Sequence, residues 1–168
     1  MVNSGETLIW EYADGADHHQ YVLRQEDTII SQLHFVHTKE YDAVVELAGE
    51  RLLIEKHLTV PYHLILRKEG APGELARFDA DLKATGKLTF ADGRVFTWEH
   101  PSVFVPEWYF ADAMQRAAVS VKAQFDFSKP HGIATIQQAT ASEAALLATL
   151  GCYVVIITNL YPTYLFSR

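Results

Sequence analysis

The sequence predicts a mainly β fold, a barrel or sandwich of many short strands, with one wholly apolar helix near its C-terminal end. Three observations carry this. From the start to about residue 136, short runs rich in Val, Ile, Leu, Phe, Tyr and Thr are broken by Gly, Pro and Asp, with hardly any helical periodicity. The stretch EAALLATLGCYVVIITNL (143–160) then departs from that pattern and is the most hydrophobic segment of the chain. The composition, 49% hydrophobic and 21% charged, is that of an ordered globular protein. A chain of 168 residues can bury roughly 70% of its extended surface, and no linker or repeat divides it, so a single domain over residues 1–168 is expected.

Strands are expected over 7–12 (TLIWEY), 21–25 (YVLRQ), 28–36 (TIISQLHFV), 42–48 (DAVVELA), 51–57 (RLLIEKH) and 62–68 (YHLILRK). The turn-rich KEGAPGE (68–74) leads to further strands over 74–80 (ELARFDA), 86–90 (GKLTF) and 94–100 (RVFTWEH). Two more follow over 117–127 (AAVSVKAQFDF) and 132–137 (GIATIQ), separated by FSKPHG (127–132). Eleven short strands with close turn signals suit a barrel or sandwich. The clearest turn is KLTFADGRVFTW, where Asp92 and Gly93 tolerate the positive φ angles of a two-residue type I′ hairpin. If Ala91 pairs with Arg94, then Lys87, Thr89, Arg94, Phe96 and Trp98 share one face. A change of one residue in loop length would alter that pairing.

The last element opens with TASE, with Thr140 as N-cap and Glu143 three residues on, an arrangement that satisfies unpaired N–H groups at a helix start. A helix is predicted over about 141–159, roughly 28 Å long, ended by Tyr161-Pro162. From Ala144 to Ser167 no residue is formally charged, so no polar stripe exists to face water. Leu146, Leu147, Leu150, Tyr153, Val154, Val155, Ile156 and Ile157 would each gain about 1.5–3 kcal/mol on burial. Together that rivals a domain's net stability of about 5–15 kcal/mol. Two surroundings could enclose the helix, the inside of a closed barrel or a bilayer. The run is borderline for a span of about 17–25 residues and lacks flanking Lys or Arg. In a barrel, Ala144, Ala145, Ala148 and Gly151 would let strands approach closely.

Many short strands followed by an entirely apolar helix resembles the tubby C-terminal-like superfamily, which includes the LURP-one-related proteins and the phospholipid scramblases. The stretches that carry the resemblance are GKLTFADGRVFTWEHPSVF (86–104), then AAVSVKAQFDF, GIATIQ and the helix. It covers about residue 20 onward. It implies a closed antiparallel barrel of about 12 strands threaded by a central hydrophobic C-terminal helix. It also implies a non-enzymatic binding or scaffold module, with membrane lipid head groups or a protein as partner. The alternative it offers is a scramblase-like protein whose C-terminal helix enters lipid. No basic phosphoinositide motif aligns residue by residue.

Acidic residues outnumber basic ones 21 to 14, which disfavours nucleic acid as a partner. The single Cys152 forms no internal disulfide, and MVNSGETLIWEYADG has neither a basic n-region nor a long apolar h-region, so a cytoplasmic setting is expected. Among eight histidines, His18 and His19 are adjacent, His34 and His37 are three apart on a strand, and His57 and His63 flank a turn. These spacings do not make a metal site, and no metal or cofactor is expected. No H-E-x-x-H, C-x-x-C, G-x-S-x-G or phosphate-cradling glycine loop is present. Cys152 reads as an inert buried thiol, and Asp79 and Asp81 as a solvated pair beside Lys83 rather than an acid/base couple. The candidate site is Lys87, Arg94 and Trp98, two cations and an indole on one hairpin face that could meet a lipid head group or another anion. PEWYF (106–110) is a second possible aromatic patch, although such runs are more often core.

Overall fold

A computed structural model of the chain describes residues 4–13, 19–82, 85–124 and 131–160. Twelve antiparallel strands close on themselves in chain order, the last pairing with the first. They are β1 (Thr7–Tyr12), β2 (Gln20–Gln25), β3 (Thr28–Phe35), β4 (Ala43–Leu47), β5 (Glu50–His57), β6 (His63–Lys68), β7 (Ala76–Ala80), β8 (Gly86–Phe90), β9 (Val95–Glu99), β10 (Glu107–Ala111), β11 (Ala117–Gln124) and β12 (His131–Ile136). The helix α1 (Ala141–Val155) follows and continues as one π-helical turn over Ile156–Leu160. Eleven of the strands coincide with the expected runs. The twelfth, β10, falls on the aromatic run PEWYF, where Trp108 and Phe110 point inward and Glu107 and Tyr109 do not. The last three residues of the expected 117–127 strand lie outside the described residues.

Alternation along each strand builds the wall. Leu8 and Trp10, Leu33 and Phe35, Leu52 and Ile54, and Leu88 and Phe90 are buried against the lumen, while the residues between them, Ile9, His34, Leu53 and Thr89, face out. The seam between β1 and β12 needs a residue without a side chain. A Cβ on Gly132 would stand 1.9 Å from the Lys122 carbonyl and 2.4 Å from Trp10 Nε1. Its absence lets that indole donate to the same carbonyl at 3.1 Å.

The lumen is filled by the helix. Of the residues from Ala144 to Ile157, all but Leu146 are buried, as expected of a helix with no wet face. Thr140 caps its first turn through the Glu143 N–H. Gly151 allows close contact, because a Cβ there would meet Val121 Cγ2 at 2.9 Å and the Trp98 ring at 3.2 Å. A buried polar contact ties the helix to β3. The Ser31 and Thr149 hydroxyls lie 2.6 Å apart, and Thr149 also donates to the Ala145 carbonyl at 2.7 Å.

The β8–β9 hairpin forms where expected, with a different register. Phe90 rather than Ala91 faces Arg94, since the Phe90 N–H donates to the Arg94 carbonyl at 2.8 Å and Thr89 pairs with Val95. The loop thus holds three residues, Ala91 to Gly93, with Gly93 at φ +95° and its N–H bonded to the Phe90 carbonyl at 3.0 Å. A tight turn followed by a left-handed residue is the usual three-residue solution. The one-residue slip carries Phe96 and Trp98 to the lumen with Leu88 and Phe90, correcting the expected shared face.

Neighbouring strands alternate in direction, so the connections after β3, β5, β7 and β9 gather at one end of the barrel. There α1 also ends, beside Phe35 and Asp42. It begins at the opposite end, where Glu143 pairs with Arg94 at the hairpin tip.

Candidate functional site

The proposed trio of Lys87, Arg94 and Trp98 does not converge. Trp98 is buried against Phe110, with ring centroids 4.6 Å apart. Lys87 is exposed near the start of β8, opposite Thr97 and beside Asp79 of β7. Arg94 lies three residues beyond Thr97's level, about 10 Å along the wall, held by Asp92 and Glu143 and lying over the Phe90 ring at 4.4 Å. Each cation therefore already faces acids. Asp79 pairs with Arg77 on the outer wall, while Asp81 accepts the Thr85 N–H at 3.1 Å, so the two acids do not act together. His18 and Lys83 lie outside the described residues. Among the described residues no three His, Cys, Asp or Glu side chains are placed to hold a metal ion. The Cys152 thiol is fully buried, and desolvation pushes its pKa far up.

A different constellation stands at the end where α1 terminates. Asp42, at the close of the β3–β4 loop, is only 5% exposed, yet its carboxylate gathers three partners. The Tyr153 phenol donates to Oδ2 at 2.7 Å. His37 Nδ1 lies 2.8 Å from Oδ1, and Lys56 Nζ lies 3.4 Å from the same oxygen. The loop backbone is wound around this acid. The Val36 and His37 N–H groups both donate to the Asp42 carbonyl, at 2.9 and 3.1 Å, with His37 at φ +49°. Stacking extends the cluster, as Phe35 lies 5.3 Å from the Tyr153 ring and 5.7 Å from His37, which also meets His19 edge-on at 5.7 Å.

Burial dominates the electrostatics. It lowers the Lys56 pKa against the opposing pull of Asp42. It raises that of Tyr153, with the Asp42 charge acting in the same sense. The phenol is thus a permanent donor at ordinary pH. The Lys56 ammonium is shut from solvent, with Asp42 its single ion contact among the described residues. Paired in this way, a buried charge cluster fixes geometry more than it adds stability. It ties the helix end to β5 and to the β3–β4 loop.

Above the cluster lies a cleft of about 430 Å³ between residues 38–42 and 55–58. Its walls mix apolar surface with acids and bases, Lys39 with Glu40 and Glu55 with His57. Other loops of the same end carry Val60, Leu82, Val103 and Phe104, all strongly exposed.

Sequence reasoning did not find the Asp42 cluster. The one legible signal was phase, because Leu52, Ile54 and Lys56 alternate in RLLIEKH, which puts a lysine on the lumen side. Its partners come from other elements and leave no local spacing. Compared with known proteins, the chain matches no protein-family model, no curated protein and no solved structure.

Proposed function

We infer that this chain is a non-enzymatic binding module of the kind the tubby and LURP-one resemblance implies, engaging its ligand from outside the barrel. One observation carries the reading: the helix occupies the lumen. The gap left beside Cys152, between Trp10, Tyr21 and Thr149, is about 10 Å³, roughly the room for one water. Barrels that hold small ligands inside keep hundreds of Å³ free. Binding then falls to the outer surface, and the helix-exit end is the part that combines a cleft with apolar loop tips. Lys87 and Arg94, apart and each facing acids, support a head-group site of their own only weakly. The alternative in which the helix leaves for lipid draws no support from its burial, and among the described residues no helix is long and apolar enough to cross a membrane. A cytoplasmic setting belongs to the same proposal and rests on the sequence alone.

The test is titration with long-chain fatty acids and an environment-sensitive apolar dye. The expected result is no saturable one-to-one uptake. Saturable uptake that Gly151→Leu abolishes would place a ligand inside the lumen and overturn the reading.

A further inference from the structure

We propose that the helix-exit end of the barrel seats on the surface of a lipid bilayer, with Val60, Leu82, Val103 and Phe104 entering the interface. The proposal rests on the reading of an external binding module and names its partner.

Isolated exposed apolar side chains are ordinary; their placement here is not scattered. Among the described residues nine large apolar side chains are exposed, and six of them, Val36, Val60, Leu82, Val103, Phe104 and Val105, stand on loops of this one end. Val60 at 89%, Leu82 at 82%, Val103 at 83% and Phe104 at 91% are the four most exposed of all. The opposite end offers Met114 and Ile29.

The chemistry of the loops favours a bilayer over a protein. Residues 101–106, PSVFVP, carry no charge, and neither do residues 58–62, LTVPY. Several of their polar groups already have partners within the loops. The Phe104 N–H donates to Ser102 Oγ at 3.2 Å, and the Val105 carbonyl accepts from the Glu107 N–H at 2.8 Å and from His100 Nε2 at 3.1 Å. The Thr59 hydroxyl donates to the Pro61 carbonyl at 2.7 Å, and the Asp81 N–H to the Thr85 carbonyl at 2.9 Å. Prolines 61, 101 and 106 remove N–H donors and fix φ. Backbone groups satisfied within the loop can leave water without the penalty of an unmade hydrogen bond. A protein partner is met by converging polar and apolar contacts on a packed face; the four most exposed of these apolar side chains stand on three separate loops. A fluid interface accepts separate tips and leaves the cleft, with its mixed charges, hydrated among the head groups.

The experiment is co-sedimentation of the full chain with phosphatidylcholine vesicles, with and without phosphatidylserine, beside the variants Phe104→Asp, Leu82→Asp and Met114→Asp. All three sites are exposed, and unchanged thermal unfolding confirms each variant folds. The parent and Met114→Asp are expected to sediment with both vesicle types. Phe104→Asp and Leu82→Asp should each weaken partitioning by about tenfold or more. The proposal falls if the parent stays in the supernatant, if Met114→Asp loses as much as the tip variants, or if only phosphatidylserine vesicles retain the protein. It falls equally if light scattering shows a dimer that Phe104→Asp dissolves, since the tips would then meet a second copy. None of these outcomes touches the lumen, so the external-binding reading stands or falls by the uptake titration instead.

Discussion

The Tyr153 phenol, buried in the last turn of α1, donates a 2.7 Å hydrogen bond to Asp42, 111 residues earlier in the chain. This one contact joins the helix end to the wall, and the carboxylate that receives it also holds Lys56 and His37. Removing the acid strands a buried ammonium. Asp42→Ala should therefore cost about 3–5 kcal/mol in urea unfolding, while Asp42→Ala combined with Lys56→Met should recover a large part of the loss. Equal destabilisation of the single and double variants would deny the coupling.

Alkaline stability should report the buried thiol. Desolvation raises the Cys152 pKa in the fold, whereas an unfolded thiol titrates near 8.5. The contribution is complete below that value and is lost as pH rises, because the unfolded chain gives up a proton that the fold retains. The loss approaches about 1.4 kcal/mol per pH unit. Tyr153 and Tyr62, raised by burial as well, add the same sign above about pH 10, and Lys56, with its lowered pKa, opposes it. Urea midpoints of the parent minus those of Cys152→Ala isolate the thiol: the difference should fall between about pH 8.5 and 10 and stay flat below pH 7.

At the barrel seam, Gly132→Ala should be among the costliest small substitutions. The added methyl would meet a backbone carbonyl at 1.9 Å, which cannot swing aside as a side chain can. Overpacking of this kind costs about 1–3 kcal/mol or more. Faster amide exchange in β12 than in β6 would locate the damage, and an unchanged urea midpoint would contradict the close approach.

In the hairpin, Gly93→Ala should lose about 1–2 kcal/mol, the cost of a left-handed backbone for a residue with a Cβ. Gly93 has φ +95° and open space around it, so strain alone is tested. Calorimetry of the two proteins suffices, and equal melting temperatures would show that the turn has another conformation.

The architecture was legible because its main signal is local and large. No arrangement of residues 144–157 offers a polar stripe, and Thr140 with Glu143 marks the helix start, which the structure realises. The hairpin was legible as an event and illegible as a register. Asp92 and Gly93 serve a two- or a three-residue loop equally well, and the choice decides whether Trp98 faces water or Gly151. β10 was hidden inside an aromatic run whose alternation, with Trp108 and Phe110 inward, shows only once neighbours are known. The Asp42 cluster draws on β5, the β3–β4 loop and α1, so nothing short in the sequence announces it.

A plug that lies downstream of every stave has a consequence for biosynthesis. The twelve staves leave the ribosome before the piece around which they close, and the ring joins its first stave to its twelfth. Until residues 144–157 emerge, the nascent sheet has nothing to wrap and must wait, open-edged, for its centre. Closure then waits on the helix and is governed by distant pairings, the regime of milliseconds to seconds, and the waiting chain is a natural client for chaperones.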